Sequence, residues 1–99
     1  MKPFDLTQKA KADLKEVAKL TMNRWGREQR NIYLKQFDDT FCLLSERPEI
    51  GKSCAEIRNG YLKFPQGSHV IFFRKTTQNR IEIVRILHKS MDVEIHFGA

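Results

Sequence analysis

The chain has 99 residues, of which 40% are hydrophobic, and its 18 Lys and Arg against 12 Asp and Glu give a net charge of +6. This length predicts one domain, spanning residues 1–99, with a single two-layer core. No apolar run approaches the roughly 20 residues that a membrane-spanning helix needs, and the N-terminus lacks the apolar stretch of a signal peptide. We therefore expect a cytoplasmic protein that does not contact a membrane.

The chain begins with a short extended segment and a helix. Residues 2–6 are typical of an edge strand, where a proline near the start is tolerated. Thr7 is suited to cap a helix that runs from about Gln8 to Trp25. Gly26 ends this helix, because glycine adopts a positive φ angle without a Cβ clash.

A second helix is predicted from about Arg27 to Glu46, since Pro48 prevents it from continuing. The short connection makes the two helices antiparallel neighbours. Helical spacing of apolar residues predicts the buried positions of this hairpin. They are Leu14, Val17, Trp25, Phe37 and Phe41.

The second helix carries a further row of residues away from its core stripe. Ile32, Gln36, Asp39 and Leu43 follow each other at i, i+4, i+7 and i+11. Apolar residues on two faces indicate a helix that is covered from both sides. The alternative is that Ile32 and Leu43 only widen the core stripe.

The period of the apolar pattern changes from 3.6 to 2 in the second half of the chain. Three strands are predicted there, and they form an antiparallel meander. In order, we expect a loop at Glu49–Ser53, a strand at Glu56–Phe64 bent at Gly60, a turn at Pro65–Ser68, a strand at His69–Lys75, a hairpin turn at Thr76–Asn79 and a strand at Arg80–His88.

The predicted fold is α+β, with a short N-terminal strand and an antiparallel two-helix hairpin packed on a C-terminal antiparallel sheet. The last two strands carry apolar residues on both faces, whereas a sheet with one wet face alternates cleanly. The helices cover one face. We expect the other to be covered by the C-terminal segment, through Val93, Ile95 and Phe97, or by a partner.

The positive charge is concentrated in the sheet. Between Arg58 and Lys89 there are seven basic residues and one acidic residue, Glu82. Such a field favours an acidic partner, which could be nucleic acid, an enzyme that binds nucleic acid, or an acidic protein. A merely basic, soluble domain is the alternative.

Few features of the sequence indicate catalysis. Cys42 and Cys54 fit no metal-ligand spacing, and we expect reduced thiols, with a disulfide as the alternative. His69, His88 and His96 show no ligand spacing either, so neither a metal nor a cofactor is predicted. His69 is typical of a residue that forms a hydrogen bond at a strand end.

One catalytic hypothesis remains, that of a metal-free ribonuclease. If they gathered on the sheet, several basic residues could stabilise a phosphoryl-transfer transition state, with His88 or Tyr61 as acid or base. The residues concerned are Arg58, Lys63, Arg80, Arg85 and His88.

Several stretches of the chain resemble the RelE/ParE superfamily of bacterial toxins, and its ParE branch in particular. They are Ala12-Asp13-Leu14, Arg24-Trp25-Gly26, the segment 48–52, the segment 60–72 and the segment 85–92. This resemblance covers nearly the whole chain in the right order. It implies the same α+β fold and the toxin role of a type II toxin–antitoxin system.

The resemblance implies two partners. ParE toxins poison DNA gyrase and so block replication, and each is neutralised by a ParD antitoxin whose acidic C-terminal segment folds on the toxin in a hetero-oligomer. No sequence-specific DNA binding by this chain and no catalytic residue are then expected. RelE-type relatives instead cut mRNA on the ribosome with Lys/Arg clusters and a C-terminal Tyr or His, and this is the alternative function. No tyrosine follows Tyr61, but His88 keeps that alternative open.

These implications assign two sets of residues. The expected target-binding residues on the basic sheet and tail are Arg58, Lys63, Arg74, Arg80, Arg85, His88 and Lys89. The expected antitoxin-binding residues are Ile32, Gln36, Asp39 and Leu43.

Overall fold

The computed structural model describes residues 3–77, 80–91, 93 and 97. Its elements are strand β1 (Phe4–Leu6), helices α1 (Gln8–Trp25) and α2 (Arg27–Glu46), a 3-10 helix (Pro48–Ile50), and strands β2 (Lys52–Ser53), β3 (Tyr61–Gln66), β4 (His69–Lys75) and β5 (Ile81–His88). The sheet order is β1-β5-β4-β3-β2, with β1 parallel to β5 and all other pairs antiparallel. The predicted α+β fold and the meander are confirmed. An edge strand lies on each side of the meander, and the parallel pairing of β1 makes the sheet mixed. In the described part of the chain, no helix is long and apolar enough to cross a membrane.

The helical hairpin begins and ends where its sequence signals predict. The Thr7 hydroxyl accepts the Ala10 N–H at 3.0 Å and so caps α1. Gly26 has a φ angle of 93°, which separates the two helices. The α2 backbone stops at Glu46, before Pro48, as expected from the lost N–H of proline.

The main core lies between the hairpin and one face of the sheet. Its buried members are Phe4, Ala10, Val17, Phe37, Phe41, Leu44, Ile71, Phe73, Ile81, Ile83 and Ile86. The Phe4 and Phe41 rings lie edge to face, with 5.2 Å between their centroids. Leu14 is half-buried against this core, and Val17, Phe37 and Phe41 are buried, as predicted.

The prediction that Trp25 is buried is wrong. Its side chain is 68% exposed at the last position of α1. Trp25 lies eight residues after Val17, and at 3.6 residues per turn it is rotated by about 80° from that buried position. The end of α1 therefore leaves the core stripe.

The first strand of the meander starts later in the chain than predicted, at Tyr61 instead of Glu56. Residues 54–60 form a turn in which the Cys54 carbonyl accepts the N–H of Ile57 at 2.9 Å. The expected bend at Gly60 is present, with a φ angle of 87°, and β3 starts only after it. Strand β3 then extends through Gln66, which leaves a two-residue turn instead of the expected four.

The segment 49–53 also differs from the loop that we expected. A 3-10 helix ends at Ile50, and Lys52 and Ser53 pair with Lys63 and Leu62 as an additional edge strand. A two-residue strand has no periodicity that a sequence could show. The hairpin turn after Lys75 lies partly outside the described residues.

The second face of the sheet is covered as predicted by the C-terminal segment. Cys54, Phe72 and Leu87 are buried there, and Val93 and Phe97 pack against them. Ile95, which was expected to dock with them, lies outside the described residues. Cys54 and Cys42 are both free thiols, and burial raises the pKa of Cys54.

Phe41→Ala tests the packing of the hairpin on the sheet. Phe41 is 2% exposed, and its removal should lower the free energy of unfolding by about 3–5 kcal/mol in urea denaturation. Leu43→Ala on the same helix is the matched control, because Leu43 is 39% exposed and should cost less than about 1 kcal/mol. Equal losses for the two variants would contradict the observed packing.

Candidate interaction surfaces

The predicted target-binding residues do not form one cluster. Arg74 at the end of β4 pairs with Tyr61, whereas His88 pairs with His69 at the opposite end of the same strand. Arg80 precedes β5 and Lys89 follows it, so they lie about 30 Å apart along the strand. Lys63 lies in the middle of β3, and Arg58 lies in the turn before it.

Two of these basic residues form ion pairs near the surface. The Arg74 guanidinium lies 2.9 Å from Glu82, and that of Arg80 lies 3.0 Å from Asp5. These side chains remain partly exposed, so solvent screens the attraction and each pair adds little to stability. Their charges therefore stay accessible to an acidic partner.

Arg85 has a structural role that the sequence did not reveal. Its guanidinium donates two hydrogen bonds to Asp13 of α1, at 2.8 and 3.0 Å. The Arg85 and Asp13 side chains are only 13% and 15% exposed. Asp13 also accepts the Ile86 N–H at 2.9 Å. Donation of these hydrogen bonds to the Asp13 carboxylate raises the pKa of Arg85. Arg85 thus joins α1 to β5.

A groove of about 520 Å³ separates the tip of the hairpin from the ends of β4 and β5. It is lined by Val17, Leu20, Thr21, Arg24, Trp25, Gln29, Tyr33, Gly67, Ser68, His69 and His88. Leu20 and Trp25 are more than half exposed beside it. Of the lining residues, His88 alone was predicted from the sequence to have a binding role, and nothing in the sequence singled out Leu20.

A hydrogen-bonded group of side chains forms the floor of the groove. The Tyr33 hydroxyl lies 2.9 Å from His69 Nδ1 and accepts the Ser68 N–H at 3.3 Å. A Cβ at Gly67, where the φ angle is 59°, would lie 2.5 Å from that hydroxyl, so a larger residue there would displace the Tyr33 side chain. The His69 and His88 rings are 5.3 Å apart, and His88 Nδ1 lies 2.7 Å from the Ser90 hydroxyl. The predicted strand-end hydrogen bond of His69 is confirmed.

This environment changes two pKa values. Burial lowers the pKa of His69, and the adjacent His88 lowers it further, while Asp13 acts in the opposite direction. Burial raises the pKa of Tyr33, against a smaller effect of its hydrogen bond with Ser68. Both groups are therefore held in their neutral forms near neutral pH.

The basic residues required by the ribonuclease hypothesis are not gathered around His88. Arg58 and Arg80 lie at the opposite end of the sheet, and Arg85 is held by Asp13. A general acid or base has to be within hydrogen-bond reach of the group it serves, directly or through one water. The distribution of these residues does not provide that arrangement.

The outer row of α2 is solvent-exposed. Ile32 and Leu43 are 45% and 39% exposed, so the alternative that they widen the core stripe is wrong. Gln36 and Asp39 are also exposed, and Asp39 accepts a hydrogen bond from Lys35 at 2.6 Å. An apolar residue near each end of a polar row gives a partner two separate anchoring points.

Comparisons with known proteins agree on one family. A family model described as the ParE toxin of type II toxin-antitoxin system, parDE, matches residues 4–93. Toxin ParE1 of Caulobacter vibrioides is 39% identical over 98 residues, which cover 99% of this chain and 100% of that protein. Toxin ParE1 of Mycobacterium tuberculosis is 40% identical over 89 residues, which cover 90% and 91% of the two chains.

A solved structure supports the fold. It is described as the chromosomal ParDE TA system from P. aeruginosa, and it matches with a TM-score of 0.72 at 20% sequence identity. The match covers 89% of this chain and 96% of the other. At this identity the likeness shows the architecture of the chain.

The environment of His69 predicts a pH-dependent stability. Because its pKa is lower in the folded chain than the ordinary 6.5, the unfolded chain binds this proton more tightly. The free energy of unfolding should therefore fall as the pH drops below about 6.5, until the pH passes the folded-state pKa. In urea denaturation between about pH 7.5 and pH 5, His69→Gln should lose less stability than the unmodified chain. Parallel pH profiles of the two proteins would contradict this.

Proposed function

Since the chain belongs to the family of ParE toxins of type II toxin–antitoxin systems, we propose that it inhibits DNA gyrase and is neutralised by a ParD-like antitoxin. The observation that carries the proposal is the match of the family model to residues 4–93, which include both helices and all five strands. Inhibition of gyrase blocks replication and stops growth. The proposed partners are thus the antitoxin and the gyrase–DNA complex.

The geometry supports a toxin that acts by binding. The basic residues are spread along the sheet and no acid–base group is surrounded by them in the described part of the chain. An inhibitor that stabilises one state of its target needs only a difference in affinity between states. We assign the contacts with the target to basic residues that solvent reaches, among them the exposed Arg58 and Lys89 and the half-buried Lys63.

The outer row of α2 is the proposed antitoxin site. Ile32 and Leu43 expose apolar surface that an amphipathic segment would remove from water. The excess of basic residues elsewhere on the chain suits the acidic part of such a segment. A segment that folds on binding is able to cover a large surface, at the cost of its own ordering.

His88→Gln separates a gyrase inhibitor from a ribonuclease. The purified variant and the unmodified toxin are incubated with gyrase and supercoiled plasmid, and separately with translating ribosomes and mRNA. We expect the unmodified toxin to trap cleaved plasmid, and the variant to retain most of that activity, because binding energy is distributed over several contacts. A catalytic acid or base would instead contribute about 100- to 10,000-fold in rate. Cutting of mRNA that His88→Gln abolishes would overturn the proposal in favour of the RelE-type reaction.

Lys89→Ala gives the companion measurement on the binding energy. Lys89 is exposed directly after β5, and a charge-assisted hydrogen bond contributes about 1.5–3 kcal/mol. The concentration of toxin needed to trap plasmid should rise by about tenfold to a hundredfold. No change in that concentration would remove Lys89 from the target surface.

Ile32→Asp combined with Leu43→Asp tests the antitoxin site. Charged groups at two apolar anchors should weaken binding of the antitoxin by more than about tenfold in titration calorimetry. Lys15→Asp on α1 is the control, because it changes the net charge by the same amount at an exposed position. Circular dichroism checks that each variant is folded. Equal affinities for the double variant and the control would place the antitoxin elsewhere.

A further inference from the structure

Aromatic and basic side chains lie together on the sheet face that points away from the helices. Tyr61 and Phe72 belong to the second core cluster, which lies on that face. Lys63 follows Tyr61 by two residues and pairs directly with Phe72, so its side chain is on the same face. Lys52 pairs directly with Lys63. We call Lys52, Arg58, Tyr61, Lys63 and Phe72 the aromatic–basic surface, in which Phe72 is 2% exposed because Val93 and Phe97 pack against its cluster.

The two lysines face each other without an acidic partner. Like charges directly opposite in an antiparallel pair are destabilising. The ion pairs of the described residues involve neither Lys52 nor Lys63. Glu56, in the neighbouring turn, is close enough to affect the pKa of Cys54 but forms no ion pair with either lysine. An unfavourable juxtaposition of this kind is relieved when an anion binds between the two ammonium groups.

The aromatic part of the surface already holds a flat ring. The Phe97 ring lies edge to face on Phe72 and Tyr61, with centroid distances of 4.9 and 5.8 Å. On Tyr61 the Arg58 guanidinium also lies 5.8 Å from the ring centroid. Phe97 shows that these two aromatic rings accommodate a third planar group, with basic side chains on the same face.

From this arrangement we propose that the aromatic–basic surface binds single-stranded nucleic acid, with an unpaired base replacing the ring of Phe97 and the adjacent phosphates lying between Lys52 and Lys63. Surfaces that bind single strands combine stacking rings with cations that follow the backbone. An acidic peptide would use the cations but has no need for the rings. A duplex would not suit the surface either, because its bases are already stacked and paired.

This inference rests on the proposed function in one respect. Arg58 and Lys63 are among the residues assigned there to the target, and a target that holds cleaved DNA offers unpaired strand ends. The inference adds the chemistry that those two residues recognise. It also gives Phe97 a role, because its side chain competes with the incoming base.

Fluorescence anisotropy with a labelled oligothymidylate of about 20 nucleotides tests the proposal on the full chain freed of its antitoxin. The unmodified toxin should bind this single strand more tightly than a duplex of the same length. Lys52→Ala with Lys63→Ala should weaken binding more than tenfold and reduce the salt slope by about 1.4, since each phosphate contact on a single strand contributes about 0.7. Lys15→Ala with Lys19→Ala removes the same charge from exposed positions on α1 and should have a smaller effect.

The aromatic contacts give the more specific result. Tyr61→Ala should weaken binding by about fivefold to a hundredfold, whereas Tyr61→Phe, which keeps the ring, should bind nearly as well as the unmodified chain. Phe97→Ala should bind more tightly because it removes the ring that competes with the base for this site. Thermal unfolding of each variant verifies that it is folded, and Tyr61→Phe provides the comparison if Tyr61→Ala does not fold.

Three outcomes would overturn the inference. The first is the absence of salt-sensitive binding, and the second is an equal loss of affinity for the two double lysine variants. The third is that polyglutamate displaces the oligonucleotide from Tyr61→Ala and from Tyr61→Phe at the same concentration of charge. The last outcome indicates an acidic protein as the partner. The oligonucleotide assay contains no gyrase, so its failure leaves the plasmid-cleavage result, and thus the proposed function, to be judged separately.

Discussion

The contact between Asp13 and the edge of β5 determines how the two layers of this protein fit together. Strand β1 pairs with β5 only as far as Ile83. Beyond that point, the cap and first turns of α1 provide the hydrogen-bond partners of the β5 backbone. The Thr7 hydroxyl donates to the Val84 carbonyl at 2.8 Å, and Asp13 accepts the Ile86 N–H. Buried backbone groups without partners are costly, so these bonds allow the strand to continue beyond its neighbour. Arg85 completes the contact by neutralising the charge that Asp13 brings to a site with little solvent.

The position of α1 also determines which side chains at the end of the hairpin stay exposed. An irregularity in the pairing of β4 with β5 falls between Phe72 and Phe73, which pair with Arg85 and Ile83. The additional residue, Val84, allows Ile83 and Ile86 to belong to the same core although they are three residues apart. In the last two turns of α1, Leu20, Thr21, Arg24 and Trp25 line the groove beside the ends of β4 and β5. Trp25 is therefore left in solvent beside the groove, and not in the core.

Local signals allowed the helices to be predicted from the sequence. Thr7, Gly26 and Pro48 each act on neighbouring backbone, so they indicate helix ends without knowledge of the tertiary structure. The turn at 54–60 was missed because its residues alternate as in a strand, whereas its backbone bonds to itself. The pairing of the basic residues could not be predicted, because Arg80 and Asp5 are 75 residues apart and Arg85 and Asp13 are 72 apart. The sequence showed that the sheet carries an excess of basic residues, but it did not show which of these residues form ion pairs.

The two proposed surfaces lie on opposite sides of the sheet, and this limits how an antitoxin could act. The outer row of α2 lies on the helical side, and the aromatic–basic surface lies on the other. The shortest extent of the molecule is 22 Å and the next is 32 Å, so an extended segment of about 7–10 residues passes from one side to the other. Ordering such a segment costs about 1–2 kcal/mol per residue, so the segment needs contacts along its whole length in addition to the two apolar anchors Ile32 and Leu43. A preformed domain would reach only one side of the sheet. A long segment that folds on binding is therefore better suited to cover both surfaces.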